Sequence, residues 1–172
     1  MKLTHRLALL ILVGFLIACK PNLISFSPPD KSFTIKLAGP PNVVTAPADS
    51  QAHITDSRSF GVISDQREYM VTYADFELNF LNQLPEKALF EIFKPSVVGK
   101  DKLLSEIEIN INGYRGRELN MIRPDGRLRL SRFYVVGPRV YELDVTLKKD
   151  EKSSQKADIF FDSFKLNSQK DH

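Results

Sequence analysis

The chain has no tryptophan, a single cysteine, three histidines and eight glycines in 172 residues. Each scarcity removes a class of protein. One cysteine closes no disulfide within the chain, so no disulfide framework holds the fold. His5 lies among the first residues and His172 is the last. His53 alone remains for the body of the chain, and one imidazole does not make a His-rich zinc site. His53 is read as an exposed loop residue, with no Gly-x-Ser-x-Gly elbow to accompany it. No Gly-rich phosphate loop occurs. The scattered carboxylates, among them Asp65, Glu68, Asp75, Glu106 and Glu108, lack calcium-loop spacing. Positive charge is also scarce. The formal +3 includes Lys2 and Arg6, and without them 22 basic side chains face 21 acidic ones. No metal, no cofactor and no nucleic-acid partner is expected.

The chain opens on what it does have, a leader. Lys2 and Arg6 precede an uninterrupted apolar run, Leu7 to Ile17. Its length suits a signal peptide and falls short of the roughly 17–25 residues that span a bilayer. The run closes on Leu16-Ile17-Ala18-Cys19, which resembles the lipobox of bacterial lipoproteins. The resemblance implies cleavage after Ala18 and, on the Cys19 thiol, a diacylglyceryl group that carries acyl chains such as palmitate. Two or more acyl chains make a stable anchor. Lys20 then permits transfer to an outer membrane; an inner membrane or a thylakoid lumen side stays open. The expected divisions are a signal peptide at 1–18, a lipidated, proline-containing tether at 19–31, a domain at 32–166 and a tail at 167–172.

A domain of about 150 residues buries roughly 68–70% of its unfolded surface, enough to hold without staples. Its first strand is expected at Ser32 to Leu37, which alternates apolar with polar and stops at Gly39-Pro40-Pro41. A short strand is expected near Val43-Val44, then strands at Ser59 to Ile63 and Glu68 to Tyr73 around a turn at Ser64-Asp65-Gln66. Pro85 suits the first turn of a helix. Ala88, Leu89, Ile92 and Phe93 follow at helical spacing, with Pro95 ending or kinking it. A four-stranded meander follows. Glu106 to Ile111 turns at Asn112-Gly113, a strong hairpin signal. Tyr114 to Ile122 turns at Pro124-Asp125-Gly126. Leu128 to Val136 turns at Gly137-Pro138, and Val140 to Leu147 ends the set. Ala157, Phe160, Phe161 and Phe164 form the stripe of a last helix, with Asp150 and Glu151 suited to its N-terminus.

Leu128 and Leu130 on one face, and Phe133 and Val135 on the other, imply a sheet covered on both sides. The class is therefore α+β, an antiparallel sheet of about six or seven strands with helices on both faces. The order of the parts resembles the PsbP-like family. The resemblance is carried by Ser32 to Pro41, Tyr69 to Asp75, Gly116-Arg117-Glu118-Leu119, Arg132 to Val136, Val140 to Leu143 and, above all, Phe160 to Leu166. It covers most of 32–166. It implies an α/β/α sandwich and a mostly non-catalytic, protein-docking role, as in extrinsic photosystem II proteins, a Ran-binding protein and bacterial lipoproteins. The absence of tryptophan separates this chain from the photosynthetic branch.

Arg115, Arg117, Arg127, Arg129 and Arg132, with Arg123 and Arg139 nearby, offer a docking surface for anionic groups. Equally, they can lace a sheet with ion pairs: a two-residue turn at Asn112-Gly113 sets Glu108 opposite Arg117 and Asn110 opposite Arg115. Glu118 is expected opposite Phe133, as a semi-buried polar site. Two functions are expected from this. The first is a membrane-anchored, non-enzymatic module that meets a protein partner in an envelope complex. The alternative is a small-ligand carrier, or an enzyme of unfamiliar type, with a pocket between sheet and helix walled by Tyr69, Tyr73 and Tyr134.

Overall fold

Strands form where apolar and polar residues alternate, and they end where a turn residue takes a left-handed backbone. The computed structural model describes residues 23–167. The leader, Cys19 and Lys20 lie outside the described residues. In chain order the elements are β1 (Ile24–Phe26), β2 (Phe33–Leu37), β3 (Asn42–Ala46), β4 (Ile54–Ser64), β5 (Arg67–Phe76), α1 (Leu78–Asn82) and α2 (Glu86–Val98), followed by β6 (Lys102–Ile111), β7 (Tyr114–Ile122), β8 (Leu128–Val136), β9 (Arg139–Thr146), α3 (Gln155–Asp162) and β10 (Lys165–Leu166). A seven-stranded sheet runs β3-β4-β5-β9-β8-β7-β6, and a three-stranded sheet runs β1-β2-β10. Every pairing is antiparallel.

Turn chemistry sets the hairpins. Asn112 and Gly113 have φ of 51° and 88°, and Asp65 and Gln66 have φ of 51° and 60°, as two-residue hairpin loops require. The loop at Pro124-Asp125-Gly126 holds three residues. Arg123 N donates to Arg127 O at 2.9 Å, Gly126 N to Arg123 O at 2.9 Å, and Gly126 sits at φ 84°. A three-residue loop shifts the register by one from the expected pairing. Glu118 therefore lies opposite Arg132, and Arg117 opposite Phe133.

Pairing sorts side chains onto two faces. Tyr73, Tyr141, Tyr134 and Gly116 align across β5, β9, β8 and β7, and Thr72, Glu142, Phe133 and Arg117 align beside them on the opposite face. The first face packs against Ala157, Phe160, Phe161 and Phe164 of α3 and its exit, and against Phe33, Ile35 and Leu37 of β2. Tyr134 lies flat over Gly116, where an added Cβ would meet the ring at 2.5 Å. The second face packs Leu119, Met121, Phe133 and Val140 against Leu81 of α1 and Phe90, Phe93 and Val97 of α2.

Four further expectations are corrected. The stretch read as tether folds from Ile24 onward. Phe26 packs 5.0 Å from the Phe60 ring, and Ile24 and Phe26 pair with Leu37 and Ile35, so burial of this apolar pair extends the domain. Pro95 does not end α2, which runs on to Val98. Pro95 lies on the exposed side, where a carbonyl deprived of its helical donor can take water. The buried stripe of α2 is Phe90, Phe93 and Val97, while Ile92 faces outward. Finally, α3 starts one turn later than Asp150 and Glu151 imply, because Ser154 caps it by accepting from Ala157 N. The whole is richer in sheet than a helix-covered layer, since β1-β2-β10 backs the large sheet beside α3.

Candidate functional site

The arginine-rich strands carry the most concentrated chemistry, and nearly all of it points inward. Arg117 pairs with Glu106 at 3.2 Å and Glu108 at 3.0 Å, and its guanidinium lies 4.4 Å from the centre of the Phe90 ring. Arg132 donates to Glu118 at 2.6 Å and covers the Phe161 ring at 4.7 Å. Arg127 pairs with Glu68 at 2.6 Å and Asp125 at 2.9 Å. Arg115 stands opposite Asn110. These guanidiniums tie helices to the sheet: Arg117 reaches α2 from one face and Arg132 reaches α3 from the other.

Arg129 is the densest node. Its fork reaches Asp144 at 2.9 Å, Glu142 at 2.7 Å, Asp101 at 3.1 Å and the Val97 carbonyl at 3.0 Å. The last bond caps α2, where a cation favours the carbonyl end of a helix. Three carboxylates on one guanidinium leave excess negative charge in a desolvated place. Burial, with the neighbouring Asp144 charge, pushes Glu142 well above the usual carboxyl range. Burial also raises Asp144, against the pull of Arg129. Asp144 Oδ2 is buried with no hydrogen-bond partner, as is Ser131 Oγ opposite it. A proton on the Glu142–Asp144 pair would relieve that arrangement.

Beside this node the uncovered part of the second face forms an open groove of about 460 Å³. Val44, Ile63 and Met70 line it, with Glu68, Arg123 and Arg129 along one wall. By contrast, the cavity that Tyr69, Ile159 and Phe160 line beside α3 is about 30 Å³, room for a water and no more. Tyr69, Tyr73 and Tyr134 belong to the core on that side. Their hydroxyls are pushed up by burial.

Glu118 is partly buried, as expected, but its partner is Arg132 rather than an aromatic ring. His53 anchors a loop: it pairs with Glu77 at 3.1 Å and stacks on Phe80 at 4.3 Å. Sequence reasoning missed Asp101, Glu142 and Asp144 as a set, and it named Arg139 without its partners, Asp75 held through two bonds and Asp30 through a third. Only the placement of acidic residues at i and i+2 in β9 hinted at the first. Among the described residues no three His, Cys, Asp or Glu side chains are placed to hold a metal ion.

The two edges of the large sheet differ. β3 is short and flanked by Pro41 and Pro47. β6 runs ten residues without proline, and Leu104 and Ile107 stay 52% and 54% exposed. Val43 and Val44 of β3 are 58% and 64% exposed as well, so apolar exposure does not separate the edges; shortness and flanking prolines guard β3, whereas the length of β6 leaves it open to a further strand.

No family model matches the chain, and no curated protein matches its sequence. Among solved structures it is similar to cyanobacterial PsbP (CyanoP) from Synechocystis sp. PCC 6803. The identity is 13% and the TM-score 0.59, over 87% of this chain and 95% of that one. A Pseudomonas aeruginosa protein of unknown function, PA94, overlaps 74% of this chain and 83% of its own at 14% identity and a TM-score of 0.37, too low to carry an argument. The fold is PsbP-like, with mostly antiparallel sheets and three helices. Likeness at this identity speaks for fold and not for activity.

Proposed function

We propose that this chain is a lipid-anchored envelope protein of the PsbP-like lipoprotein branch, whose sandwich-like domain works without catalysis by docking to another protein. The observation that carries the reading is the open edge of β6, a long strand paired with β7 on one side only, with Leu104 and Ile107 exposed. An extended segment of a partner adds there through backbone hydrogen bonds, and the apolar side chains select it. The lipobox-like ending at Cys19 supports placement at a membrane. No helix among the described residues is long and apolar enough to cross one. An anchor restricts the search for a partner to the membrane plane and raises effective concentration.

The test is affinity capture from gently crosslinked, detergent-solubilised envelope. A stoichiometric protein is expected with the full chain. Ile107→Lys places a charge on the edge at a cost within about 0.5 kcal/mol for an exposed site. It should abolish capture while leaving the melting transition in place. Equal capture by the variant, or no protein recovered at all, counts against the reading. A second reading, a small-ligand carrier, is favoured by the 460 Å³ groove, which falls in the size range of ligand sites. A thermal-shift screen of small amphipathic molecules, repeated on Met70→Trp to fill the groove, separates the two.

A further inference from the structure

The chain enters the domain at one end of the large sheet, and four exposed lysines, Lys36, Lys149, Lys152 and Lys156, gather at that same end. We propose that this end rests on the phospholipid surface and holds the domain upright, with the opposite end facing away. The inference rests on lipidation of Cys19.

Strand direction decides which parts share the end. Ile24 stands opposite Leu37, at the close of β2. Leu23 lines a small cavity with Lys36, Ala38, Ser64, Lys156 and Ile159, which places it beside the β4–β5 turn and the start of α3. Arg123 bonds Glu68 at 3.0 Å, so the β7–β8 turn lies there too. Glu151 bonds Arg67 at 2.8 Å, which adds the connection from β9 to α3. The other end carries the Asp30–Arg139 pair at 2.6 Å, the Asp49–Ile54 bridge, the His53–Glu77 pair and the Gly137-Pro138 turn.

Reach and charge then make the argument. Four residue steps separate Cys19 from Leu23, and a fully extended chain covers at most about 14 Å in four steps. The entry end therefore stays near the lipid whatever path the chain takes. Lys36, Lys149, Lys152 and Lys156 are exposed there, and Ile24 and Ile159 expose 39% and 38% of their surface. The acids at this end are largely answered. Asp65 holds Lys156 at 3.1 Å, and Asp125 holds Arg127 at 2.9 Å. Asp150 and Asp158 stand exposed. At the far end Asp30, Asp49, Asp75 and Glu77 stand with Lys31, Arg58, Arg115 and Arg139, so among the described residues no cluster of exposed lysines gathers there. Lysines extend their ammonium groups to lipid phosphates while the stems cover apolar surface. The attraction acts within a Debye length of about 8 Å. With the anchor already in place, weak contacts suffice to set orientation.

The test uses the full lipidated chain in vesicles of phosphatidylethanolamine and phosphatidylglycerol doped with doxyl-labelled lipid. The thioether on Cys19 leaves one added cysteine free for a fluorescent label, at Ser153→Cys or Ile159→Cys near the entry end and at Ser50→Cys on the far end. Quenching at 153 and 159 with none at 50 is expected. Lys149→Glu combined with Lys152→Glu, both exposed, should reduce it. Equal quenching at all three positions, or none, on protein whose N-terminal peptide carries lipid by mass spectrometry overturns the orientation and leaves the anchor standing. An unmodified Cys19 in that spectrum removes the anchor, and the orientation falls with it.

Discussion

Arg139 and Arg129 both gather carboxylates from distant stretches of chain, but in different ratios. Arg139 holds two, Asp75 and Asp30, and lies 3.9 Å from the centre of the Tyr73 ring. Arg129 holds three, Asp101, Glu142 and Asp144. At the first, burial works to raise Asp30, but bonds from Arg139 and Ser32 prevail and hold it below its ordinary 3.8. At the second, burial prevails at both, with the Asp144 charge adding to it at Glu142, and Glu142 and Asp144 stand above their ordinary 4.5 and 3.8. Where one guanidinium serves two carboxylates, Asp30 is lowered; where it serves three in a desolvated place, Glu142 and Asp144 are raised.

The comparison breaks most severely at Arg129. Arg129→Met should cost about 3–5 kcal/mol at pH 7, because it strands buried charge and frees the end of α2. Urea denaturation checks this, and the deficit should shrink in acid, where the stranded acids protonate. Arg139→Lys keeps the charge but loses the planar fork and its stacking on Tyr73; a loss of about 1.5–3 kcal/mol is expected. The two sites also pull stability in opposite directions with pH. Asp30, depressed in the fold, contributes stability above 3.8 that is lost as pH falls through its folded value. Glu142 and Asp144, raised in the fold, contribute stability that is complete below 4.5 and 3.8 respectively and is lost as pH rises through their folded values. Equilibrium unfolding across acid to neutral pH should therefore show a maximum between the two windows. The smallest effect sharpens the point. Glu142→Gln removes the surplus charge while keeping the shape, so it should flatten the decline on the neutral side and leave the acid side unchanged. An unaltered profile would place the proton elsewhere.

Local features were legible in the residues. Asn112-Gly113 announced its hairpin, the 106–111 and 141–147 alternations announced their strands, and the Ala157, Phe160, Phe161, Phe164 stripe announced the face of α3. Each depends on neighbours within one or two turns, where periodicity and turn chemistry act directly. The β7–β8 register was not legible, because Pro124-Asp125-Gly126 accommodates loops of more than one length and each added residue flips the partner face. The helix stripe at Ala88 to Phe93 misled for a related reason: several residues of α2 are apolar, and only packing chose Phe90, Phe93 and Val97. The candidate site was the least legible. Glu142 and Asp144 alternate as solvent-facing residues do, yet α2 and Arg129 cover Asp144 and much of Glu142.

From the amino acids alone came the leader pattern, the antiparallel α+β class, the turns and the apolar stripes, since these arise from contacts between residues close along the chain. The tertiary structure decided which charges neutralise one another, which strand edge stays open and which end of the domain the chain enters. Those depend on groups far apart in sequence, Asp30 with Arg139 and Asp101 with Arg129 among them, whose meeting no local rule encodes.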